Sequence, residues 1–343
     1  MRALVKYEKS EGKVGIRNVP EPTPGTGEVQ VQLKAAGLCY SDIAIIHNRY
    51  IGRKPVPIPL VLGHEGAGIV SAVGEGVKNL SPGDHVGIAP LRGCGACRDC
   101  RSGNENMCLD WHHIGITCNG TFAEYVCVSA NKAHRIPEDI SFIDAACLEP
   151  IGLTVRTLET VRPLVGDTVA VIGPGSLGFF HLQAFKASGA GKIIVIGRGH
   201  HHERFQMAAE LGADHGIYGT AEDIARQVLE ITDGKGADIV VETANTPEAA
   251  SLAIEVAGNR GRIALFGLYP EAKISPLKIL RKGITLFGDV SQLDRHFIRA
   301  IKWVEAGMVS AAPLVKRKYK LEEYPEALAS IGNKDMLKVL FEI

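Results

Sequence analysis

The sequence lacks a surplus of either charge. Its 343 residues include 38 basic and 38 acidic side chains, so it has no electrostatic footprint for nucleic acid or an anionic membrane. It also lacks any apolar run of the roughly 20 residues that cross a bilayer. The N-terminal segment Met1–Glu8 carries charges where a signal peptide would be apolar. We therefore expect a cytoplasmic protein that binds neither nucleic acid nor membrane.

Internal repeats and low-complexity segments are absent as well, and the composition is that of a globular protein. Hydrophobic residues make up 45% of the chain, which is ordinary for a protein with a full core. The length exceeds that of one typical domain and predicts two. In a cytoplasmic protein, the eight cysteines are expected to be metal ligands or buried thiols rather than disulfides.

The pattern of apolar and polar residues changes near residue 150. Before it, short segments such as Val29–Leu33 alternate in the manner of strands, and turn signals such as Ser81–Asp84 separate them. After Val169, apolar strands alternate with helical patterns, which predicts a parallel sheet with helices on both faces. The tail after about Gly288 has a helical pattern and ends in a short strand. The predicted fold class is α/β, with a β-rich domain beside a doubly wound domain.

A loop of four closely spaced cysteines is the strongest metal signal. Cys94, Cys97, Cys100 and Cys108 can close a tetrahedral Zn²⁺ site with no open position, which is the structural kind. The alternatives are four unrelated thiols or a nucleic-acid-binding zinc ribbon. The balanced charge argues against the ribbon.

A second signal is a glycine motif between a strand and a helix. Gly173 makes the turn, Gly175 lets the backbone approach a pyrophosphate, and Gly178 lets the helix pack on the sheet. The helix N-terminus, at Ser176 and Leu177, then faces the phosphates. The alternative is a glycine turn that binds no ligand. Because strand, helix and next strand fall in the right order, the motif favours dinucleotide binding.

The adjacent pair His64 and Glu65 lies in a glycine-rich stretch after an apolar run. Glycines on both sides let the backbone bend and let another group approach closely. Such a pair can present an imidazole and a carboxylate to a metal ion. Taken alone, it is more often the pattern of a hydrogen-bonded histidine beside a solvated glutamate.

Three segments together carry a family resemblance. The segments 37–42 (GLCYSD), 63–65 (GHE) and 147–150 (CLEP) resemble the zinc-dependent medium-chain dehydrogenases, which include alcohol, polyol, sugar and threonine dehydrogenases. The resemblance spans essentially the whole chain and includes the four-cysteine loop, the segment 120–126 and the glycine motif. It implies a GroES-like catalytic domain from residues 1–150 and 289–343, with a Rossmann domain at 151–288 inserted between them.

The resemblance also implies a catalytic zinc held by Cys39 and His64, with Glu65 and Glu149 as carboxylate ligands. One of the two carboxylates exchanges with water or substrate, and the sequence leaves open which. A glutamate at position 149, where many alcohol dehydrogenases carry cysteine, is typical of the polyol, sugar and threonine branch. Zinc lowers the pKa of a substrate hydroxyl, after which hydride passes to the nicotinamide.

Ser41 and Asp42 follow the predicted ligand Cys39. By resemblance, Ser41 accepts the substrate proton, and Asp42 binds the second nitrogen of His64 and fixes its orientation. The alternative is that the pair forms a turn or a helix cap. Ala44 stands where many members of the family carry a relay histidine. His47 lies nearby but out of register, so the proton route runs either through His47 or through water.

The predicted cofactor site departs from the NAD pattern. An acidic residue that binds the ribose is expected about nineteen residues after Gly178, but this position is Gly197, followed by Arg198. A guanidinium suits a 2′-phosphate, and Arg204 can add a second charge. This favours NADP slightly over NAD. The alternative is that Arg198 is solvated. The remaining predicted cofactor contacts are Thr243, Leu265 and Gly267.

The sequence thus predicts a zinc-dependent dehydrogenase that acts on an alcohol, polyol or sugar with NADP or NAD. It predicts two zinc ions per chain and a homodimer or homotetramer, as in the family it resembles. The alternatives are a zinc-dependent carbonyl reductase that works mainly toward the alcohol, and a non-catalytic scaffold that binds a dinucleotide. The complete set of predicted ligands argues against the scaffold.

Overall fold

The computed structural model describes residues 1–200, 202–288, 290–331 and 336–343. The chain divides into two compact units, one made of Met1–Leu153 and Ser291–Ile343, the other of Thr154–Val290. The first junction therefore falls inside the helix Leu148–Val161, close to the predicted domain start at residue 151. Asp289, where the predicted third segment begins, lies outside the described residues.

Strands dominate the first unit, and labels follow chain order. Its strands are β1 (Arg2–Lys6), β2 (Val14–Asn18), β3 (Glu28–Leu38), β4 (Leu60–Val61), β5 (Glu65–Val73), β6 (His85–Ile88), β7 (Leu91–Arg92), β8 (His112–His113), β9 (Tyr125–Ser129), β10 (Ala133–Arg135), β17 (Lys318–Lys320) and β18 (Val339–Glu342). Its helices are α1 (Tyr40–Ile46), α2 (Arg98–Arg101), α3 (Phe142–Ala146), the start of α4 (Leu148–Val161), α10 (Asp294–Glu305) and α11 (Tyr324–Ser330).

The long strand β3 organises the largest sheet of this unit. In the described residues the sheet runs β10-β6-β5-β3-β18-β17, and β9 pairs with the start of β3. The register places Gly37 opposite Glu65 on β5 and Leu38 opposite Val339 on β18. The C-terminal strand therefore lies beside the segment that leads to Cys39.

The core of the first unit fills both sides of β3. Inward side chains of β3, β5, β6 and β9 form one buried cluster around Val31 and Leu33. A second cluster around Phe122 and Phe341 packs beneath α1, with the two rings 5.0 Å apart in an edge-to-face contact. These clusters fix the strand ends from which the candidate site is built.

The second unit alternates strand and helix. Its strands are β11 (Thr168–Ile172), β12 (Lys192–Ile196), β13 (His215–Ile217), β14 (Ala237–Glu242), β15 (Ala257–Leu265) and β16 (Thr285–Gly288). Its helices are the rest of α4, α5 (Ser176–Ala187), α6 (His202–Glu210), α7 (Ala221–Ile231), α8 (Pro247–Val256) and α9 (Pro276–Lys282). All pairings among the described strands are parallel, in the order β13-β12-β11-β14-β15-β16.

This strand order is that of a doubly wound sheet, and it reverses at β11. Central strands such as β11 and β12 are buried on both faces, which explains their unbroken Val and Ile runs. Ligands of such sheets bind at the carboxyl ends of the strands near the reversal, which is where the glycine motif lies. Within the described residues, no helix has the length and apolarity needed to cross a membrane.

Candidate active site

Asp42 connects the two segments that carry the first predicted ligands. The strand β3 ends at Leu38, and α1 begins at Tyr40, so Cys39 lies at the turn between them. The Asp42 carboxylate accepts the backbone N–H of Cys39 through Oδ2 at 2.9 Å, and that of Gly63 through Oδ1 at 3.2 Å. Asp42 is fully buried. It therefore acts as a helix cap and also positions the ligand segments.

The backbone before His64 takes a conformation that only glycine adopts readily. Gly63 has φ +89°, and a Cβ there would lie 2.4 Å from the ring of Phe122. The resulting bend turns the imidazole toward Cys39. Its Nδ1 lies 3.4 Å from Oδ1 of Asp42, without hydrogen-bond geometry. With Nδ1 beside Asp42, Nε2 is the nitrogen available to a metal ion.

Three predicted ligands meet at one point. One potential ligand atom each from Cys39, His64 and Glu65 lies within 4.8 Å of the others. A thiolate, an imidazole and a carboxylate form a donor set that zinc accepts. Burial opposes charge on His64, but the negative groups of Asp42 and Cys39 outweigh it and raise its pKa well above the ordinary value. Such surroundings favour a cation, so the residues present fit zinc.

Glu149 lies beside this group but outside its closest set among the described residues. It stands in the first turn of α4 and is 7% exposed. Burial raises the pKa of its carboxyl to about 7, and the nearby Glu65 adds to this rise while His64 opposes it. The structure thus assigns Glu65 to the tight cluster and keeps Glu149 as a neighbour.

Ser41 and His47 point to different partners. The Cys39 thiol donates to Oγ of Ser41 at 3.8 Å, so Ser41 lies at the ligand. His47 instead lies 2.8 Å from Oε1 of Glu11 and is largely exposed. This pairing turns His47 toward Glu11 at the surface.

The four-cysteine loop forms a second, separate ligand group. One ligand atom from each of Cys94, Cys97, Cys100 and Cys108 lies within 4.8 Å of the others. Backbone N–H groups already point at the sulfurs, for example Cys97 N–H to Sγ of Cys94 at 3.3 Å. Such donors, from Ala96 and Cys97, lower the pKa of Cys94 to about 7. Four thiolates in this geometry fit a structural zinc ion.

The glycine motif of the second unit has the geometry that its residues require. Gly173 has φ +108°, and a Cβ on Gly178 would lie 2.1 Å from the carbonyl oxygen of Gly173. By contrast, the Cβ direction of Gly175 faces open space. The helix α5 begins at Ser176. The turn is therefore closed on the protein side and open where a pyrophosphate would lie.

A cavity of about 580 Å³ lies at this turn within the second unit. Six of the predicted cofactor residues line it: Gly173, Gly175, Gly197, Arg198, Arg204 and Thr243. Arg204 also donates to the carbonyl of Pro174 at 3.2 Å, which holds its guanidinium at the cavity wall. The other predicted residues, Ser176, Leu177, Gly178, Leu265 and Gly267, are not part of the described lining.

Sequence reasoning missed four buried polar side chains. Lys338 lies 2.5 Å from Oε2 of Glu65, and Gln292 lies beside Glu149. His113 packs edge-to-face on His64, with ring centroids 5.5 Å apart. Glu242 accepts the backbone N–H of Asn245 at 2.8 Å and of Gly267 at 3.0 Å. Only Lys338 left a signal, as a lone charge in the apolar run 336–341.

Comparison with known proteins supplies two family matches. Residues 25–138 match the family described as alcohol dehydrogenase GroES-like domain. Residues 176–306 match the family described as zinc-binding dehydrogenase. Together, the two matches cover more than half of the chain.

The full length of the chain is similar to curated dehydrogenases. It is 34% identical to a sorbitol dehydrogenase of Halalkalibacterium halodurans, over 99% of this chain and 98% of that protein. It is 32% identical to an L-threonine 3-dehydrogenase of Pyrococcus abyssi, with the same two coverages.

Solved structures share the fold over the whole chain. An alcohol dehydrogenase from Escherichia coli CFT073, complexed with NADH, has a TM-score of 0.92 at 28% identity, covering 100% of this chain and 99% of that chain. A zinc-binding dehydrogenase from Sinorhizobium meliloti 1021, bound to NADP, has a TM-score of 0.91 at 28% identity with the same coverages. Proteins of this fold are therefore known with either dinucleotide.

Proposed function

The chain belongs to the zinc-dependent medium-chain dehydrogenase family, and on this premise we propose that it transfers a hydride between the CH–OH group of an alcohol or polyol and NAD(P). One observation carries the proposal. Cys39 is separated in sequence from His64 and Glu65, and the three residues offer different ligand atoms. These atoms nevertheless lie within 4.8 Å of one another. A buried group of one sulfur, one nitrogen and one oxygen donor is better explained by metal binding than by a contribution to the stability of the fold.

Cys39, His64 and Glu65 would hold a zinc ion, which would lower the pKa of a substrate hydroxyl, and a bound nicotinamide would accept the hydride. The chain's own residues prepare this chemistry. Asp42 fixes the backbone of Cys39 and the orientation of His64, as expected of a carboxylate behind a metal ligand. The Ser41 hydroxyl, 3.8 Å from Sγ of Cys39, accepts the proton released by the substrate and passes its own proton to water. Lys338, which is buried beside Glu65, compensates the charge of that carboxylate.

The ligand set includes both Glu65 and Glu149, with Glu149 as the carboxylate that exchanges with water or substrate. Its position outside the closest group supports this division of roles. The thiolates of Cys94, Cys97, Cys100 and Cys108 hold a second, structural zinc ion. Each chain therefore binds two zinc ions, one for chemistry and one for the loop.

The preferred cofactor is NADP. No carboxylate stands at Gly197, where NAD-binding chains place a ribose partner, and Arg198 and Arg204 line the same cavity. A guanidinium offers paired donors to a phosphate dianion, which the free ribose of NAD lacks. Thr243, Leu265 and Gly267 complete the cofactor-binding set together with the glycine turn.

The substrate is a small alcohol, polyol or sugar. A glutamate rather than a cysteine at position 149 supports this class, as does the similarity to a sorbitol dehydrogenase. The working form is a homodimer or homotetramer in the cytoplasm, as the family resemblance suggests.

The test is a dehydrogenase screen over polyols, secondary alcohols, sugars and amino alcohols with NAD and NADP. The parent and the variant Cys39→Ala are compared with Cys118→Ala, which changes an exposed thiol outside both ligand groups. The proposal expects turnover in the parent and in Cys118→Ala, and none in Cys39→Ala. Equal turnover in all three proteins, or none in a zinc-loaded parent on any substrate, would overturn it.

A further inference from the structure

Gln292 is a buried primary amide without a well-formed hydrogen bond among the described residues. The residue is 4% exposed, and both Nε2 and Oε1 are buried without a partner. Buried polar groups are hydrogen-bonded in the large majority of cases, and leaving one unsatisfied costs about 1–3 kcal/mol. An orphan amide of this kind calls for a partner that engages it in the working protein.

The amide lies along the helix face that carries Glu149. Its Cγ is 3.1 Å from the position that a Cβ on Gly152 would occupy, and its Cδ is 3.7 Å from it. Gly152 follows Glu149 by three residues on α4, so the two share one face of the helix. The absence of a side chain at Gly152 provides the space that Gln292 fills.

The two residues that follow Gln292 are each held by a hydrogen bond. The next residue, Leu293, donates its N–H to Nδ1 of His296 at 3.1 Å. Asp294 then accepts from the buried Nζ of Lys132 at 2.8 Å. These two contacts hold the chain next to Gln292 in place beside α4.

We propose that Gln292 is the positioning residue for Glu149. Its Nε2 donates to one carboxylate oxygen of Glu149 and leaves the other oxygen to the metal. This deepens the proposed function and depends on it, since it takes Glu149 as a zinc ligand. Partners behind a metal ligand typically change metal affinity by about 10–100-fold.

The test follows release of zinc from the loaded protein to a chromogenic chelator. The phase that belongs to the Cys39–His64 group is identified as the one lost in His64→Ala. Gln292→Met, which keeps the size and removes both polar atoms, is expected to speed this phase by about tenfold or more. The unfolding midpoint of the zinc-free variant should be unchanged or higher, because an orphan amide has been removed.

Two further variants separate positioning from packing. Gly152→Ala crowds Gln292 and should speed the same phase. In a Glu149→Gln background, Gln292→Met should have no further effect, because residues that act through one another are not additive. Unchanged release in Gln292→Met, or an equal acceleration in the Glu149→Gln background, would overturn the proposal. Because zinc release needs no substrate, these outcomes are independent of whether the parent oxidises any alcohol.

Discussion

The Nζ of Lys338 lies 2.5 Å from Oε2 of Glu65, and the two side chains are 3% and 2% exposed. Sheet register produces this contact, because β18 and β5 flank β3 on opposite sides with Val339 opposite Leu38 and Glu65 opposite Gly37. Gly37 provides the room, since a Cβ there would lie 2.1 Å from the Glu65 carboxylate. The residue that precedes the last strand thus pairs with a predicted ligand at the start of β5.

Lys338→Met should strongly destabilise the zinc-free protein. Removing one partner of a buried ion pair leaves an uncompensated charge, at a cost of about 3–5 kcal/mol. Burial opposes the charge on Lys338, but the Glu65 carboxylate outweighs burial and raises the pKa of Lys338 above its ordinary value. The contribution of the Lys338 charge is therefore fully present below the ordinary pKa of lysine and is lost only in strong alkali, as the pH rises through the raised value.

Urea unfolding at neutral pH measures this effect. Lys338→Arg keeps the charge and serves as the control, so it should lose much less stability than Lys338→Met. Equal unfolding midpoints for the parent and the Lys338→Met variant would contradict the prediction.

We predict that the stability of the zinc-free protein depends on pH through the carboxyl group of Glu149. Burial raises its pKa from 4.5 to about 7, so the folded state binds the proton more tightly than the unfolded state does. Its contribution is then fully present below pH 4.5 and is lost as the pH rises through 7. At about 1.4 kcal/mol per pKa unit, the loss amounts to about 3 kcal/mol. Glu149→Gln should remove this dependence in urea titrations from about pH 5 to 8, and parallel curves for the two proteins would refute the assignment.

Cys97→Ala should act on stability rather than on chemistry. A closed thiolate site contributes folding free energy directly, whereas the loop holds no residue of the Cys39–His64 group. We expect a lower thermal midpoint and loss of one zinc ion, with residual turnover per folded chain near that of the parent. Cys118→Ala is the matched control. Lost turnover with an unchanged midpoint would show that the two ligand groups have been divided wrongly.

Gly197→Asp should move the cofactor preference toward NAD. The new carboxylate supplies an acceptor for the ribose hydroxyl, and it repels a 2′-phosphate in the cavity lined by Arg198 and Arg204. A charge-assisted hydrogen bond contributes about 1.5–3 kcal/mol, so the ratio of kcat/KM for NADP over NAD should fall by about tenfold or more. A parent that clearly prefers NAD would contradict the assignment of NADP.

Most of the predictions came from local motifs, because the chemistry of these motifs depends on residues that are only a few positions apart. The four-cysteine loop and the glycine turn each lie within one segment, and the helix α5 follows Gly175 directly, from Ser176 to Ala187. The parallel sheet followed from alternating strands and helices. In these regions, the residues that form each motif are close in sequence as well as in space.

Contacts set by sheet register could not be read from the sequence. Nothing near Glu65 indicates that Lys338 will pair with it, because the contact depends on how β3, β5 and β18 align. Gln292 and Glu149 are likewise brought together by helix packing at Gly152. The family resemblance named Glu65 and Glu149 together as ligands. Only the structure places Glu65 in the closest group and Glu149 beside that group.

Zinc content measured beside turnover tests the central claim most directly. The parent and His64→Ala are purified without chelator, analysed for zinc per chain, and assayed with the best substrate from the screen. The account predicts two zinc ions and turnover for the parent, and one zinc ion without turnover for His64→Ala. A parent with a single zinc ion, or a His64→Ala protein that retains full turnover with one, would contradict it.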